Sequence, residues 1–299
     1  MIHTVAVLGL GAMGLPIATN LARSFTVRGY DPDPGRSRLA AEAGVFPAGS
    51  AREAADGADA VLLAVRNRPQ LETALDGPDG VAGVLAAGAA VILTSTVGRE
   101  AALAADRSLT ERGLVLIDAP VSGGPARAGE GDLLVAVGAR DADYKAVEPV
   151  LEQMAGTLVR VGDEPGKGQA FKTVNQLLCG AHIAAAAEAL ALAEKLDLDL
   201  EQSLEALMSG AASSFMLGDR GPRMLEALAG GEPEVRSRLD IFVKDMGIVA
   251  DTAGALNLPH PVAGAARQSY LLGLAAGDGE RDDSTVVRTI SPSAPGREG

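Results

Sequence analysis

Between Gly166 and Lys195 the chain reads GKGQAFKTVNQLLCGAHIAAAAEALALAEK, and several of its side chains are of types that do chemistry. Lys172, Asn175, Gln176, Cys179 and His182 recur at intervals of three and four, which on a helix sets them along one stripe. A lysine followed one turn on by amides, at the start of an otherwise apolar helix, suits a catalytic wall. It equally suits a solvated lysine in a first helical turn, and the stretch alone leaves both readings open. His182 reads as a packed or supporting residue. His3 lies in the first strand and His260 in the loop PHP, so neither offers an obvious acid–base alternative. No Cys, His and carboxylate cluster has metal-ligand spacing, so no metal is expected.

The element that must carry this stripe is one long helix. After Gly168 it has no proline and one interior glycine, Gly180, among many alanines and leucines. About 28 residues at ~1.5 Å each span roughly 40 Å, enough to pass from one domain to another. Its C-terminal half is apolar on nearly all sides and should be buried, in the chain's own core or against a second subunit.

A second constellation sits at the N-terminus. The apolar run TVAVLGL, Thr4 to Leu10, reads as a buried parallel strand. It opens into Gly9-Leu10-Gly11-Ala12-Met13-Gly14, a G-x-G-x-x-G pattern, followed by a helical segment through Leu21. The first two glycines permit a tight turn and close approach of a pyrophosphate, the third lets helix and strand pack, and the helix N-terminus faces the anion. A strand from Phe25 to Tyr30 then ends in Asp31, twenty residues past Gly11, where a carboxylate would bond ribose hydroxyls and repel a 2′-phosphate. Strand, glycines and acid in register point to a dinucleotide, with NAD favoured over NADP. Arg28 and Arg36 lie close by and weaken that preference.

Further apolar runs, at 58–65, 89–95, 114–117, 133–137 and 158–161, alternate with helical patterns. The expected fold is therefore α/β, a doubly wound, mostly parallel sheet with ligands at the carboxyl ends of its strands. Three strand ends carry polar residues. Asn67 and Gln70 follow one, Ser95 and Thr96 another; Thr96 could reach a nicotinamide, or either group could simply cap a helix. Ser122-Gly123-Gly124, after Asp118, offers a hydroxyl and unobstructed N–H groups for a carboxylate, or makes a plain turn. From Glu201 the chain reads as helices at 201–209, 213–228, 236–256 and 260–276.

Composition bounds the rest. The 299 residues carry a net charge of −13 with 3% aromatics, which argues against a nucleic-acid partner. The single cysteine, Cys179, allows no internal disulfide. The sequence enters a strand at once without a basic leader, and every apolar run of spanning length has a polar or charged break, so no membrane partner and a cytoplasmic location are expected.

Taken together, G-L-G-x-M-G at 9–14, D-A-P-V-S-G-G at 118–124 with Ala128 and Gly131, G-K-G-x-x-x-K-x-x-N at 166–175 and Lys244-Asp245 resemble the β-hydroxyacid dehydrogenase family, which includes 3-hydroxyisobutyrate dehydrogenase and tartronate semialdehyde reductase. The motifs cover the chain to about Ile290. The resemblance implies a Rossmann domain, 1–164, and an all-helical domain, 165–290, joined by the long helix, with 291–299 as a tail. It implies Lys172 as general acid/base, with Asn175 and Gln176 as the amides that help position substrate. Hydride transfer from an alcohol does need a base for the hydroxyl proton. Ser122, Gly123 and Gly124 match the family's carboxylate loop, Lys244 a lysine that closes over cofactor and substrate, and Thr96 a cofactor contact. Cofactor contacts are also expected at Gly9, Leu10, Gly11, Ala12, Met13, Gly14, Asp31, Val65, Arg66 and Gln70. Where the family often has a proline after the 58–65 strand, Val65-Arg66-Asn67 stands instead.

A narrower resemblance, in Asn67-x-x-Gln70, SSFMLGDRGPRML, DIFVKDMGIVADTA and GERDDS, is to the L-threonate dehydrogenase branch, which oxidises C2 of a four-carbon sugar acid. It implies a small hydroxy-acid substrate whose extra hydroxyls Ser213, Ser214 and Asp240 could bond, and a homodimer or homotetramer. Asp245 reads as an exposed helix acid or a structural salt bridge. Imine reduction and a non-catalytic dinucleotide-binding role are the competing functions on this fold; Lys172 weighs against the first, and the set Ser122, Lys172, Asn175 and Lys244 against the second.

Overall fold

Residues 5 and 7 of the first strand enter one hydrophobic cluster and residues 6 and 8 another, and the same alternation recurs in the strands beside it. A sheet apolar on both faces needs helices on both faces, which is why its strands read as unbroken apolar runs. The computed structural model describes residues 2–292. It divides into two compact units, Met1–Lys172 and Thr173–Gly299.

The first unit holds a nine-stranded sheet. Strands β1 (Thr4–Leu8), β2 (Thr26–Tyr30), β3 (Phe46–Pro47), β4 (Ala60–Leu63), β5 (Ala90–Leu93) and β6 (Val115–Asp118) pair in parallel. The sheet continues through β7 (Val121–Ser122), β8 (Leu133–Gly138) and β9 (Ala155–Gly162); β8 runs antiparallel to β6 and β7 and parallel to β9. The order is β3-β2-β1-β4-β5-β6-β8-β7, so successive connections turn opposite ways on either side of β1. That reversal opens the crevice in which such sheets bind ligands. Helices α1 (Gly14–Leu21), α2 (Pro34–Glu42), α3 (Ala51–Ala55), α4 (Arg68–Asp76), α5 (Arg99–Glu111), α6 (Gly124–Glu130) and α7 (Asp141–Met154) complete the unit. The short strands β3 and β7 were not expected, and Ser122 lies in β7 rather than in a plain turn.

Helix α8 (Lys167–Lys195) runs across the boundary between the units. The second unit adds α9 (Leu200–Ser209), α10 (Phe215–Leu228), α11 (Leu239–Ala255) and α12 (Pro261–Ala275), then 3-10 turns at 278–280 and 283–289. Gly180 lets α8 and α11 approach closely, since a Cβ there would meet Met246 Sδ at 2.2 Å. Tyr270, stacked on Phe242 with centroids 5.3 Å apart, donates its hydroxyl to the Gly180 carbonyl over 2.8 Å.

The motifs at 213–225 and 279–284 meet in one buried ion cluster. Arg220 forks onto Asp283, Nε to Oδ1 at 3.2 Å and Nη2 to Oδ2 at 2.9 Å, and Arg223 Nε donates to Asp282 Oδ1 at 2.9 Å. The other Asp282 oxygen accepts from the backbone of Arg236 and Ser237. Beyond it Ser291 is buried and its hydroxyl donates to Glu194; residues 293–299 of the expected tail lie outside those described.

By length and composition α8 could cross a membrane, with a mean hydropathy of 1.4 in its most apolar window, but 61% of that window is buried inside the protein. Its C-terminal half is not buried all round. Leu192 is 60% exposed there, on the same side of the helix as Val174 and Leu178 of the N-terminal half, which are 61% and 50% exposed.

Candidate active site

The turn after β1 is built for close approach. Gly9 has φ +90°, and a Cβ there would meet the Ala64 carbonyl oxygen at 2.5 Å; one on Gly14 would meet the Gly9 oxygen at 1.8 Å. A Cβ on Gly11 would meet nothing within 4 Å, so the middle of the turn faces open space. The outer glycines thus close the turn and the middle one leaves room for a pyrophosphate at the start of α1. Asp31, at the end of β2, does more than wait for a ribose. Its Oδ2 accepts from the Leu10 N–H at 2.7 Å and its Oδ1 from the Asp33 N–H at 2.9 Å, which ties the acid to the glycine turn. Both nearby arginines are engaged locally: Arg28 donates to the Asp56 carbonyl and Arg36 to the Leu10 carbonyl. These residues fit a dinucleotide.

The loops after β4, β5 and β6 carry the other first-unit candidates. Asn67 caps α4 by accepting from the Gln70 N–H at 3.0 Å, and Gln70 Oε1 accepts in return from the Arg66 N–H at 2.8 Å. That reciprocal pair is a helix start, the plainer of the two readings. Val65 packs against the apolar cluster below it. Thr96 is half-buried in the loop between β5 and α5, whose neighbours Thr94 and Ser95 both donate to the Leu63 carbonyl. Ser122 ends β7, and Gly123 and Gly124, with φ +144° and +80°, turn the chain into α6.

Lys172 is 7% exposed, so a solvated lysine is excluded. One turn before it, Gln169 is fully buried and bonds both Asp118 and the β5 loop. Asp118 in turn accepts from the backbone N–H groups of Gly166 and Gln169 at 2.8 and 2.9 Å, capping α8 from another strand's end. Burial pushes the Asp118 carboxyl above its ordinary range, and its bonds to Gln169, Gly166 and Gly168 pull the other way. Gln169 was not among the expected site residues, and its place one turn before Lys172 is its one local signal in the sequence.

In the second unit the amides continue the stripe. Asn175 Nδ2 donates to Gln176 Oε1 at 2.9 Å, and Gln176 Nε2 donates to Asp245 Oδ2 at 2.6 Å. Asp245 Oδ1 pairs with Lys244 Nζ at 2.8 Å. An unbroken polar path therefore joins Asn175 to Lys244. Asp245 is buried, so of its two expected readings the salt bridge holds and the exposed acid does not. His182 is exposed and does not join the stripe. The three residues proposed for extra hydroxyls have local partners. Asp240 forks with Arg238 at 2.6 and 3.1 Å, Ser214 caps α10 by accepting from the Leu217 N–H at 3.0 Å, and Ser213 is exposed beside Met208.

A doubly wound sheet with this glycine turn, followed by an all-helical region, defines a nicotinamide-dependent dehydrogenase. Family models agree along the chain: residues 4–162 match the NAD binding domain of 6-phosphogluconate dehydrogenase, and 166–290 match the family described as NAD-binding of NADP-dependent 3-hydroxyisobutyrate dehydrogenase. The chain is 39% identical to the L-threonate dehydrogenase of Cupriavidus necator over 96% of both proteins, and 38% identical to that of Pectobacterium atrosepticum over 97% of this chain and 94% of the relative. A crystal structure of a 3-hydroxyisobutyrate dehydrogenase from Salmonella typhimurium superposes with TM-score 0.89 at 37% identity, covering 96% of this chain and 99% of that one. The chain belongs to the β-hydroxyacid dehydrogenase family, as the motifs led us to expect, and is an NAD-dependent oxidoreductase of hydroxy acids.

Proposed function

We propose that this dehydrogenase oxidises L-threonate or a close four-carbon aldonate, with NAD preferred to NADP. The observation that carries the substrate is the near full-length similarity to L-threonate dehydrogenases at 38–39% identity. In this reading Lys172 Nζ takes the proton from the substrate hydroxyl as the adjacent C–H bond breaks. Its burial supports the role, because a proton acceptor shielded from bulk water keeps the transfer to the substrate. NAD, when bound, supplies the hydride acceptor. Asn175 and Gln176 orient the substrate, Ser122 to Gly124 hold its carboxylate, Thr96 contacts the nicotinamide side, and Lys244 contacts cofactor and substrate. The exposed side of α8, with Val174, Leu178 and Leu192, supports a homo-oligomer built on that helix, whose subunit count sedimentation would give.

Asp31 carries the cofactor preference. A 2′-phosphate would meet its carboxylate, and like charges in contact cost up to several kcal/mol. A second substrate reading, 3-hydroxyisobutyrate, is favoured by the superposition on the Salmonella typhimurium protein. Measuring kcat/KM over a panel of aldonic and 3-hydroxy acids with both cofactors decides. A site that bonds several hydroxyls should favour L-threonate over 3-hydroxyisobutyrate by at least about tenfold, since missing hydrogen bonds discriminate far more strongly than methyl groups. A methyl-branched acid that wins would replace the substrate assignment, and equal rates with NADP would remove Asp31 from cofactor selection.

A further inference from the structure

We propose that Gln169, held by Asp118, is a positioning residue that locks the turn carrying Lys172 to the loop after β5. Every hydrogen-bonding valence of the Gln169 carboxamide is used. Its Oε1 accepts from the Val97 and Gly98 N–H groups at 3.0 and 3.1 Å, and its Nε2 donates to the Ser95 carbonyl and to Asp118 Oδ1, both at 3.0 Å. A carboxamide offers two acceptor sites and two donors, so this group has no spare capacity. Three of the four partners are backbone groups of residues 95–98, the stretch that contains Thr96. The fourth is the carboxylate that caps α8 through Gly166 and Gln169.

The packing around the bracket leaves it little freedom. A Cβ on Gly168 would meet the Asp118 carbonyl oxygen at 2.4 Å and the Pro120 ring at 2.8 Å, so the first turn of α8 lies directly on the segment that leads to Ser122. Asp118 itself is fully buried at the carboxyl end of β6. One carboxamide and one carboxylate thus join the β5 loop, the segment before Ser122 and the turn before Lys172. Three pieces of backbone that the proposed chemistry needs in register are fastened to one another by these two side chains. Misplacing a reacting group by about 1 Å can cost on the order of 100-fold in rate, so the bracket should be felt in turnover.

This inference rests on Lys172 as the base, and the tests keep the two apart. Gln169→Glu places a carboxylate oxygen against Asp118 Oδ1 and the Ser95 carbonyl, and should lower kcat by about 10–100-fold on the wild type's best substrate of the panel. Asp118→Asn turns an acceptor into a donor facing Gln169 Nε2. Combined, Gln169→Glu and Asp118→Asn reverse the bond between the two side chains, so the double variant should recover at least about tenfold in kcat over Gln169→Glu alone. Loss of stability alone would not produce that recovery in kcat per folded enzyme. A readout independent of turnover is amide hydrogen exchange. In Gln169→Ala, exchange at Val97 and Gly98 should rise while that of β1 stays as in the wild type. Unchanged exchange at 97–98, or a double variant no better than the product of the single ones, overturns the bracket. If Lys172→Ala keeps its kcat, the base assignment fails instead, while the exchange result still stands or falls by itself.

Discussion

The two units bury carboxylates by opposite means. Asp118 is surrounded by neutral donors, two backbone amides and one carboxamide, at the positive end of α8. Asp282 and Asp283 face guanidinium groups instead. Burial drives Asp283 up to about 6 against the opposing pull of Arg220. For Asp282, burial works upward too, but bonds from Ser284, Arg223 and the Arg236 amide outweigh it and leave the carboxyl below its ordinary range. The neutral cluster binds loops that bear candidate chemistry, whereas the ionic one ties the segment after α12 to α10. A change in the first should therefore show in turnover, and a change in the second in stability.

The largest effect tests the first half of that contrast. Lys172→Ala should reduce kcat by about 10²–10⁴-fold, the usual worth of general acid–base catalysis, while NADH binding measured by fluorescence persists. Its melting temperature should stay near that of the wild type. Near-normal kcat would take the lysine out of the mechanism.

Arg220→Met should do the converse. It keeps an apolar stem but leaves Asp283 buried without its fork, and breaking a buried pair from one side typically costs about 3–5 kcal/mol. Denaturant unfolding would read that loss, and kcat per folded molecule should not change. A variant as stable as the wild type would mean that the fork contributes nothing net.

The same carboxylate sets a pH dependence. Its folded value, about 6, lies above the ordinary aspartate value of 3.8, so the fold binds the extra proton. The associated stability is fully present below about 3.8 and is lost as pH rises through about 6, on the order of 3 kcal/mol. Other carboxylates titrate in this window, so the comparison is with Asp283→Asn. Relative to that variant, the wild type should lose stability between pH 4 and 6 and run parallel to it above 7. Parallel curves throughout would show that Arg220 cancels the cost of burial.

The sequence announced the central strands because burial on both faces makes each an unbroken apolar run. The two-residue strands β3 and β7 are too short to carry a period. The segment DDST at 282–285 looks like a loop, and its burial depends on arginines about sixty residues earlier, which no local pattern encodes. Gln169 was missed for the same reason: its four partners lie between 51 and 74 positions away. His182 was placed on the stripe by counting threes and fours, yet ten residues at about 100° each return it roughly 80° away from Lys172, and it faces out. The glycine turn, Asp31 and the Lys172 motif were legible because their spacing is local.

The smallest effect decides between two jobs for one hydroxyl. Ser214 was expected to bond a substrate, and the structure shows its Oγ accepting from the Leu217 N–H at the start of α10. A lost N-cap costs about 1 kcal/mol, or roughly 3–5 °C in Tm for a unit the size of Thr173–Gly299. Ser214→Ala should show that drop in calorimetry with KM for L-threonate unchanged. Ser214→Asp should recover the stability, because aspartate caps as well as serine does. A hydroxyl that served the substrate would behave otherwise: KM would rise in the alanine variant, and aspartate, repelled by the threonate carboxylate, would not restore it. That outcome would move Ser214 out of the class of residues that hold the fold, where its geometry now puts it, and into the class that holds the chemistry.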